Sequence, residues 1–254
     1  MLYPIGIQDF EKIRTGGYVY VDKTELVYKI AEKGGYYFLS RPRRFGKSLL
    51  VSTLEAYFSG KKELFDGLAI ADLEKDWIRY PVLRFDLTGK NYSSEESLID
   101  AIGNQLESLE RLYKVAVTSQ AIDTRFKNVI DAAYAQTNRP VVILIDEYDK
   151  PIVDNLGNDE LYFQNTMYVM LKMIGQQVQV ERHTSNGRID VLIQTDKYVY
   201  IMELRRDKNP DDALDQIDEK GYDWSFLADD RKVFKIGTNF STKNHRLENW
   251  KVAE

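Results

Sequence analysis

Residues 36–58 read YYFLSRPRRFGKSLLVSTLEAYF: an apolar run, a basic turn and an amphipathic segment. The run YYFLS predicts a buried strand. Leu50, Leu54, Tyr57 and Phe58 then fall on one stripe of a helix, and Gly60 is placed to end it. Strand, loop with Gly46-Lys47-Ser48, helix is the layout of a phosphate-binding loop. There, backbone N–H groups and the helix N-terminus face the phosphates, Lys47 neutralises the β and γ oxygens, and the Ser48 hydroxyl ligates Mg²⁺. The full pattern G-x-x-x-x-G-K-[ST] asks for glycine where Arg41 stands. Arg41, Arg43 and Arg44 instead add positive charge beside Lys47, which suits a triphosphate. Taken alone, the stretch also fits a surface loop with an incidental Gly-Lys-Ser.

A second stretch, residues 139–150, reads RPVVILIDEYDK. The continuous β-branched run predicts a parallel strand buried on both faces. Asp146 at its carboxyl end is placed to hold Mg²⁺ through water, and Glu147 to polarise an attacking water. An ordinary core strand running into an acidic loop would look similar, but the upstream Gly-Lys-Ser unit makes coincidence a poor explanation.

Three segments carry a family resemblance: IGIQDFEKIRTGGYVYVDKT (5–24), YYFLSRPRRFGKSLL (36–50) and LIDEYDKPI (144–152). They resemble the bacterial AAA-ATPase-like proteins that end in a PD-(D/E)XK nuclease-type domain. The resemblance covers most of the chain and implies that SRPRRFGKS is itself the family's phosphate loop, with Arg41 a family trait.

Composition narrows the chemistry. The 254 residues suffice for one large or two modest domains, and 43% hydrophobic with 30% charged residues is the balance of a soluble globular protein. No apolar segment approaches a membrane span, and the N-terminus lacks a basic segment followed by an apolar one, so a cytoplasmic protein is expected. With no cysteine and only His183 and His245, disulfides, thiolate zinc and histidine-rich metal centres are excluded. A metal must then sit on oxygen ligands, which points to Mg²⁺ or Mn²⁺. The net charge of −5 gives no global attraction to nucleic acid.

Along the chain, helices are expected at 7–14 and 23–33, the latter capped by Asp22, with a strand at Tyr18–Val21 between them. Short helices should fill 61–77, a strand 81–87, and helices 93–114 and 122–133. Alternating strands and helices predict an α/β fold with a small parallel, helix-flanked sheet. After a connection at 151–159 the pattern changes to a helix at 160–174, closely spaced strands VQVERHT, RIDVLIQT and YVYIMELR, a helix at 211–220 and a strand KVFKIGTNF. The expected domains are 1–155, a P-loop nucleotide-binding domain cut short after the Asp-Glu strand, and 156–254, an α/β domain with a mixed sheet. Trp77, Trp224 and Trp250 are expected in the core.

A second site follows from strand register. If Asp196-Lys197 form a two-residue turn, Thr195 pairs with Tyr198, and counting back sets Asp190 opposite Glu203. Like charges directly opposite, about 4.5–5.5 Å apart, are destabilising unless a divalent cation bridges them. Arg205, two residues beyond Glu203, projects from the same face. Asp, then Glu-x-basic, on neighbouring strands is the PD-(D/E)XK arrangement, in which two carboxylates bind Mg²⁺ and the basic group steadies water or phosphate. Asp-Lys is not a preferred hairpin pair, and a longer loop would shift the register. GRIDVLIQTDKYVYIMELR and ALDQIDEKGY carry the resemblance here, which implies supporting roles for Gln216 and Tyr222; Glu181 could add a carboxylate.

Two departures from the family bear on activity. Its basic position is normally lysine, whereas Arg205 cannot give up its proton. Little chain separates DEYDKPI from the nuclease-type helix, so no arginine finger is identifiable and the chain looks internally shortened. Two functions are therefore expected: an ATP–Mg²⁺ binding protein joined to a nuclease-like module that acts on or binds DNA, or a non-catalytic, nucleotide-responsive adaptor. Oligomeric state is not readable.

Overall fold

The computed structural model describes residues 2–35, 37, 39, 45–89, 92, 95–147, 177–241, 243 and 246–254. It is α/β, with a two-stranded parallel sheet and a five-stranded mixed sheet. Two compact units are present: residues 1–89, 105–118 and 128–148 in one, and 90–104, 119–127 and 149–254 in the other. Among the described residues, no helix is long and apolar enough to cross a membrane.

In the first unit, α1 (Phe10–Thr15), α2 (Thr24–Lys33), α3 (Lys47–Phe58) and α4 (Ile70–Leu73) precede strand β1 (Val82–Asp86). Helices α5 (Glu95–Tyr113) and α6 (Ile122–Thr137), each divided between the two units, lead to β2 (Val142–Asp146). The two strands pair in parallel from Val82 with Val142 to Asp86 with Asp146, so both end in an aspartate at the same level. Phe10, Val27, Tyr57, Phe65 and Ile70 form the core, with Trp77 packed against it. The rings of Phe10 and Phe65 lie 4.9 Å apart and those of Phe65 and Trp77 5.2 Å apart, offset rather than stacked face to face. The Phe10 amide donates to the Ser52 hydroxyl at 2.9 Å, which ties α1 to α3.

Some local expectations change. Tyr18–Val21 forms no strand; it contributes a single bridge from Tyr18 to Leu2, and Tyr20 packs edge-on against Phe10 instead. Asp22 sits one residue before the capping position of α2. Its carboxylate accepts from the Thr24 amide and hydroxyl at 2.8 and 2.7 Å and from the Ala69 amide at 2.7 Å, pinning the start of α2 to the entry of α4. The expected strand at 36–40 falls mostly outside the described residues, and the helix at 160–174 wholly so.

In the second unit, strands β3 (Gln177–Thr184), β4 (Gly187–Gln194), β5 (Tyr198–Arg206), β6 (Lys232–Ser241) and β7 (Arg246–Ala253) lie side by side in sequence order. All neighbours are antiparallel except β5 and β6, which run parallel because α7 (Pro210–Lys220) makes the crossover between them. Asn209 caps α7 by accepting from the Asp211 amide at 3.1 Å, Pro210 opens it, and Gly221 closes it in the left-handed conformation. Ile217 packs with Leu192, Val199 and Ile201 of the sheet. Trp224 and Trp250, expected in the core, are 62% and 55% exposed; the Trp224 ring packs against Gly221, where a Cβ would stand 2.4 Å from it.

Candidate functional sites

The first cluster begins at Gly46, whose φ of +76° lies in the left-handed region. A Cβ there would meet nothing within 4 Å, so the demand for glycine is conformational rather than steric. This turn lets α3 start at Lys47, with the Leu50 amide donating to the Gly46 carbonyl at 3.0 Å. Lys47 and Ser48 are both buried in the first turn. The Ser48 hydroxyl hydrogen-bonds the carboxylate of Asp146 at the end of β2. Asp146 is 3% exposed and also accepts from the Glu147 amide at 3.0 Å. Burial raises its carboxyl above the ordinary aspartate value, against the opposing pull of Ser48 and Arg84. Glu147 follows with a φ of +53°, an uncommon conformation for a side-chain-bearing residue. Arg41, Arg43 and Arg44 lie outside the described residues.

Sequence reasoning missed two members of this cluster. The Arg84 guanidinium, from the middle of β1, reaches Glu55 at 2.7 Å and Asp146 at 3.3 Å. Glu55 stands seven residues after Ser48, two helical turns along the same face of α3. The available signal was a charge inside the strand PVLRFDL and that seven-residue spacing. A buried carboxylate joined to a serine hydroxyl at a helix N-terminus is a donor set suited to a hard divalent cation.

The second cluster is built on the β4–β5 hairpin. The Thr195 amide donates to the Tyr198 carbonyl at 2.9 Å, so Asp196-Lys197 do form the turn, and the register runs from Gln194 with Val199 to Val191 with Met202. One further step brings Asp190 to Glu203. The Asp190 amide donates to Glu203 Oε1 at 3.2 Å, and the Leu204 amide donates to Asp190 Oδ2 at 2.9 Å. The two carboxyls share the sheet face of Leu192, Val199 and Ile201, beneath α7, and both are buried. Burial is the main cause that raises both; with the charge of Asp190 beside it, Glu203 is pushed up to about 8. Hydrogen bonding between the two side chains pushes Glu203 up and Asp190 down. Two buried carboxyls this close repel when both are ionised, and a shared proton relieves that repulsion.

Gln216 and Arg205 complete this cluster. Gln216 Nε2 donates to Glu203 Oε2 at 2.8 Å, and its carbonyl oxygen accepts from the Arg205 guanidinium. Arg205 also donates to the Leu204 carbonyl at 2.9 Å and lies 3.7 Å from Glu203 Oε2. Gly237 allows α7 to come this close: a Cβ there would stand 2.1 Å from the Pro210 carbonyl oxygen. Tyr222 does not reach the carboxyls; its hydroxyl accepts from the Arg188 amide at 3.2 Å. Glu181, at φ +52°, pairs with Arg188 at 2.8 Å. Among the described residues, no group of three or more His, Cys, Asp or Glu side chains gathers around a point that could hold a metal. His183 is exposed on β3.

Comparison with known proteins covers both clusters. The AAA-ATPase-like family, described as predicted AAA-ATPase, matches residues 4–185, and the PD-(D/E)XK nuclease superfamily matches residues 158–250. A protein of Azotobacter chroococcum mcd 1, described as an uncharacterized protein in the vnfD 5′ region, is 46% identical over 160 residues. That match covers 62% of this chain but 31% of the relative, so the chain spans about a third of that protein's length. No solved structure matches significantly. The chain belongs to the AAA-ATPase-like family and carries, over its last hundred residues, a domain of the PD-(D/E)XK nuclease superfamily.

Proposed function

We propose that this protein binds ATP with Mg²⁺ at the Lys47–Ser48–Asp146 cluster and acts on or holds DNA at the Asp190–Glu203 pair. The observation that carries the reading is the hydrogen bond from Ser48 to Asp146, which brings the first turn of α3 to the carboxyl end of β2. In this reading Lys47 grips the β and γ phosphates, Arg43 and Arg44 of the same loop add their charge, Gly46 opens the turn, and Ser48 and Asp146 hold Mg²⁺. Glu147 orients a water. Asp190 and Glu203 hold a second Mg²⁺, Gln216 steadies Glu203, and Arg205 contacts the scissile phosphate. Bound magnesium supplies charge neutralisation on phosphate oxygens at both places. The domain boundary falls near residue 155.

Calorimetric titration of ATP with Mg²⁺ tests the first half. Lys47→Ala should weaken binding about 30-fold, from a charge-assisted contact worth roughly 2 kcal/mol; equal affinities would defeat the reading. For the second half, nicking of plasmid DNA with Mg²⁺ or Mn²⁺ should vanish in Asp190→Ala.

One observation favours a second reading, the non-catalytic adaptor. Arg205 stands at the family's lysine position and is tied to Gln216 and the Leu204 carbonyl. A guanidinium keeps its charge and cannot serve as a general base toward water. The adaptor binds ATP and DNA without releasing phosphate or cutting a strand, so a turnover assay on the intact chain separates the two readings.

A further inference from the structure

We infer that Arg84 is the resident counter-ion of Asp146 in the metal-free protein, and that Glu55 is the acceptor onto which it withdraws when a divalent cation enters with nucleotide. The inference rests on the nucleotide reading above and assigns roles to two residues outside the phosphate-loop and Asp-Glu motifs.

The geometry is a chain of four polar groups along the α3 face of the small sheet: Ser48, Asp146, Arg84 and Glu55. Asp146 is 3% exposed, and a carboxylate so far from water requires a compensating charge. The Arg84 guanidinium lies 3.3 Å from it; the bond from Arg84 to Glu55 is shorter, at 2.7 Å. The guanidinium is therefore shared unequally, and its Nε is buried with no hydrogen-bond partner. A fully committed arginine would satisfy that donor. Asp86, the register partner of Asp146 on β1, adds negative charge on the same side. A cation arriving at Ser48 and Asp146 meets Arg84 as a like charge. Glu55, 37% exposed, is an acceptor already in place to take it.

The two residues should then act with opposite signs. The readout is the Mg²⁺ concentration that half-maximally enhances ATP binding, measured by titrating MgCl₂ into the full chain with ATP. Arg84→Met removes the competing charge and should lower that concentration about a hundredfold, the size of a unit-charge repulsion over about 6 Å at an effective dielectric near 20. Its melting temperature in EDTA should fall, and Mg²⁺ with ATP should recover more of it than in the wild type. Glu55→Gln weakens the withdrawal site and should raise the half-maximal concentration. A purely structural role for the Arg84 bridge would not split the signs.

Shifts in the same direction, or no shift in either variant, overturn the inference. If Arg84→Met does not fold in EDTA, Glu55→Gln decides: an unchanged or lowered Mg²⁺ requirement overturns it. A wild type with no Mg²⁺-dependent ATP binding instead removes the nucleotide reading and this inference together. Wild-type binding with variants that do not diverge removes the inference alone.

Discussion

Glu203 is a carboxyl displaced far from its ordinary state. Its carboxyl rises from 4.5 to about 8, through burial first and the Asp190 charge second. The folded chain therefore keeps a proton that the unfolded chain has lost, so this group's contribution to stability is complete below about pH 4.5 and fades as pH rises toward 8. Metal-free protein should lose melting temperature across that interval. Glu203→Gln should flatten the profile, and Mn²⁺ should stabilise wild type most at its alkaline end. A flat wild-type profile in EDTA would show that the pair does not share a proton. The Asp190–Glu203 opposition was legible in the sequence because a sheet's period of two turns a two-residue loop into a register. Arg84 and Glu55 were not legible, because their meeting needs the spacing between α3 and β1, which no local pattern encodes.

At the scale of elements, α7 decides whether the second cluster is assembled. It approaches β6 through Gly237, where a Cβ would collide with the Pro210 carbonyl oxygen, backbone that cannot rotate away. Gly237→Ala should cost about 1–3 kcal/mol in urea unfolding, and it should weaken Mn²⁺ binding because Gln216 retreats from Glu203. Unchanged unfolding would mean that the helix does not rest where it is described. Asn209→Ala, which removes the cap, should cost about 1 kcal/mol without touching the carboxyls; circular dichroism during unfolding measures it. The strands β3, β4 and β5 and the helix were readable from alternation and turn signals. β7 was not: RLENWKVA mixes charges through a strand at the sheet edge, where one face suffices for stability and the apolar alternation weakens. Tyr18–Val21 erred the other way, with β-type residues and no partner strand beyond a single bridge.

For the whole molecule, the two proposed oxygen-ligand sites each lie wholly within one compact unit. Hydrogen exchange should therefore separate them. ATP with Mg²⁺ should slow exchange in α3, β1 and β2, whereas Mn²⁺ alone should act on β4, β5 and α7; one pattern for both ligands would mean a single site. The likeness to the AAA-ATPase-like family and to the PD-(D/E)XK nuclease superfamily was readable from motifs that carry their own chemistry. The boundary between the units was not, since residues 90–104 and 119–127 group with the later part of the chain by contacts that local sequence does not encode. The most direct measurement is a count of bound Mn²⁺ by electron paramagnetic resonance, in the presence of a non-hydrolysable ATP analogue. Wild type should hold two ions per chain, and Lys47→Ala and Asp190→Ala one each, retaining different sites. The same count in all three proteins would contradict the account.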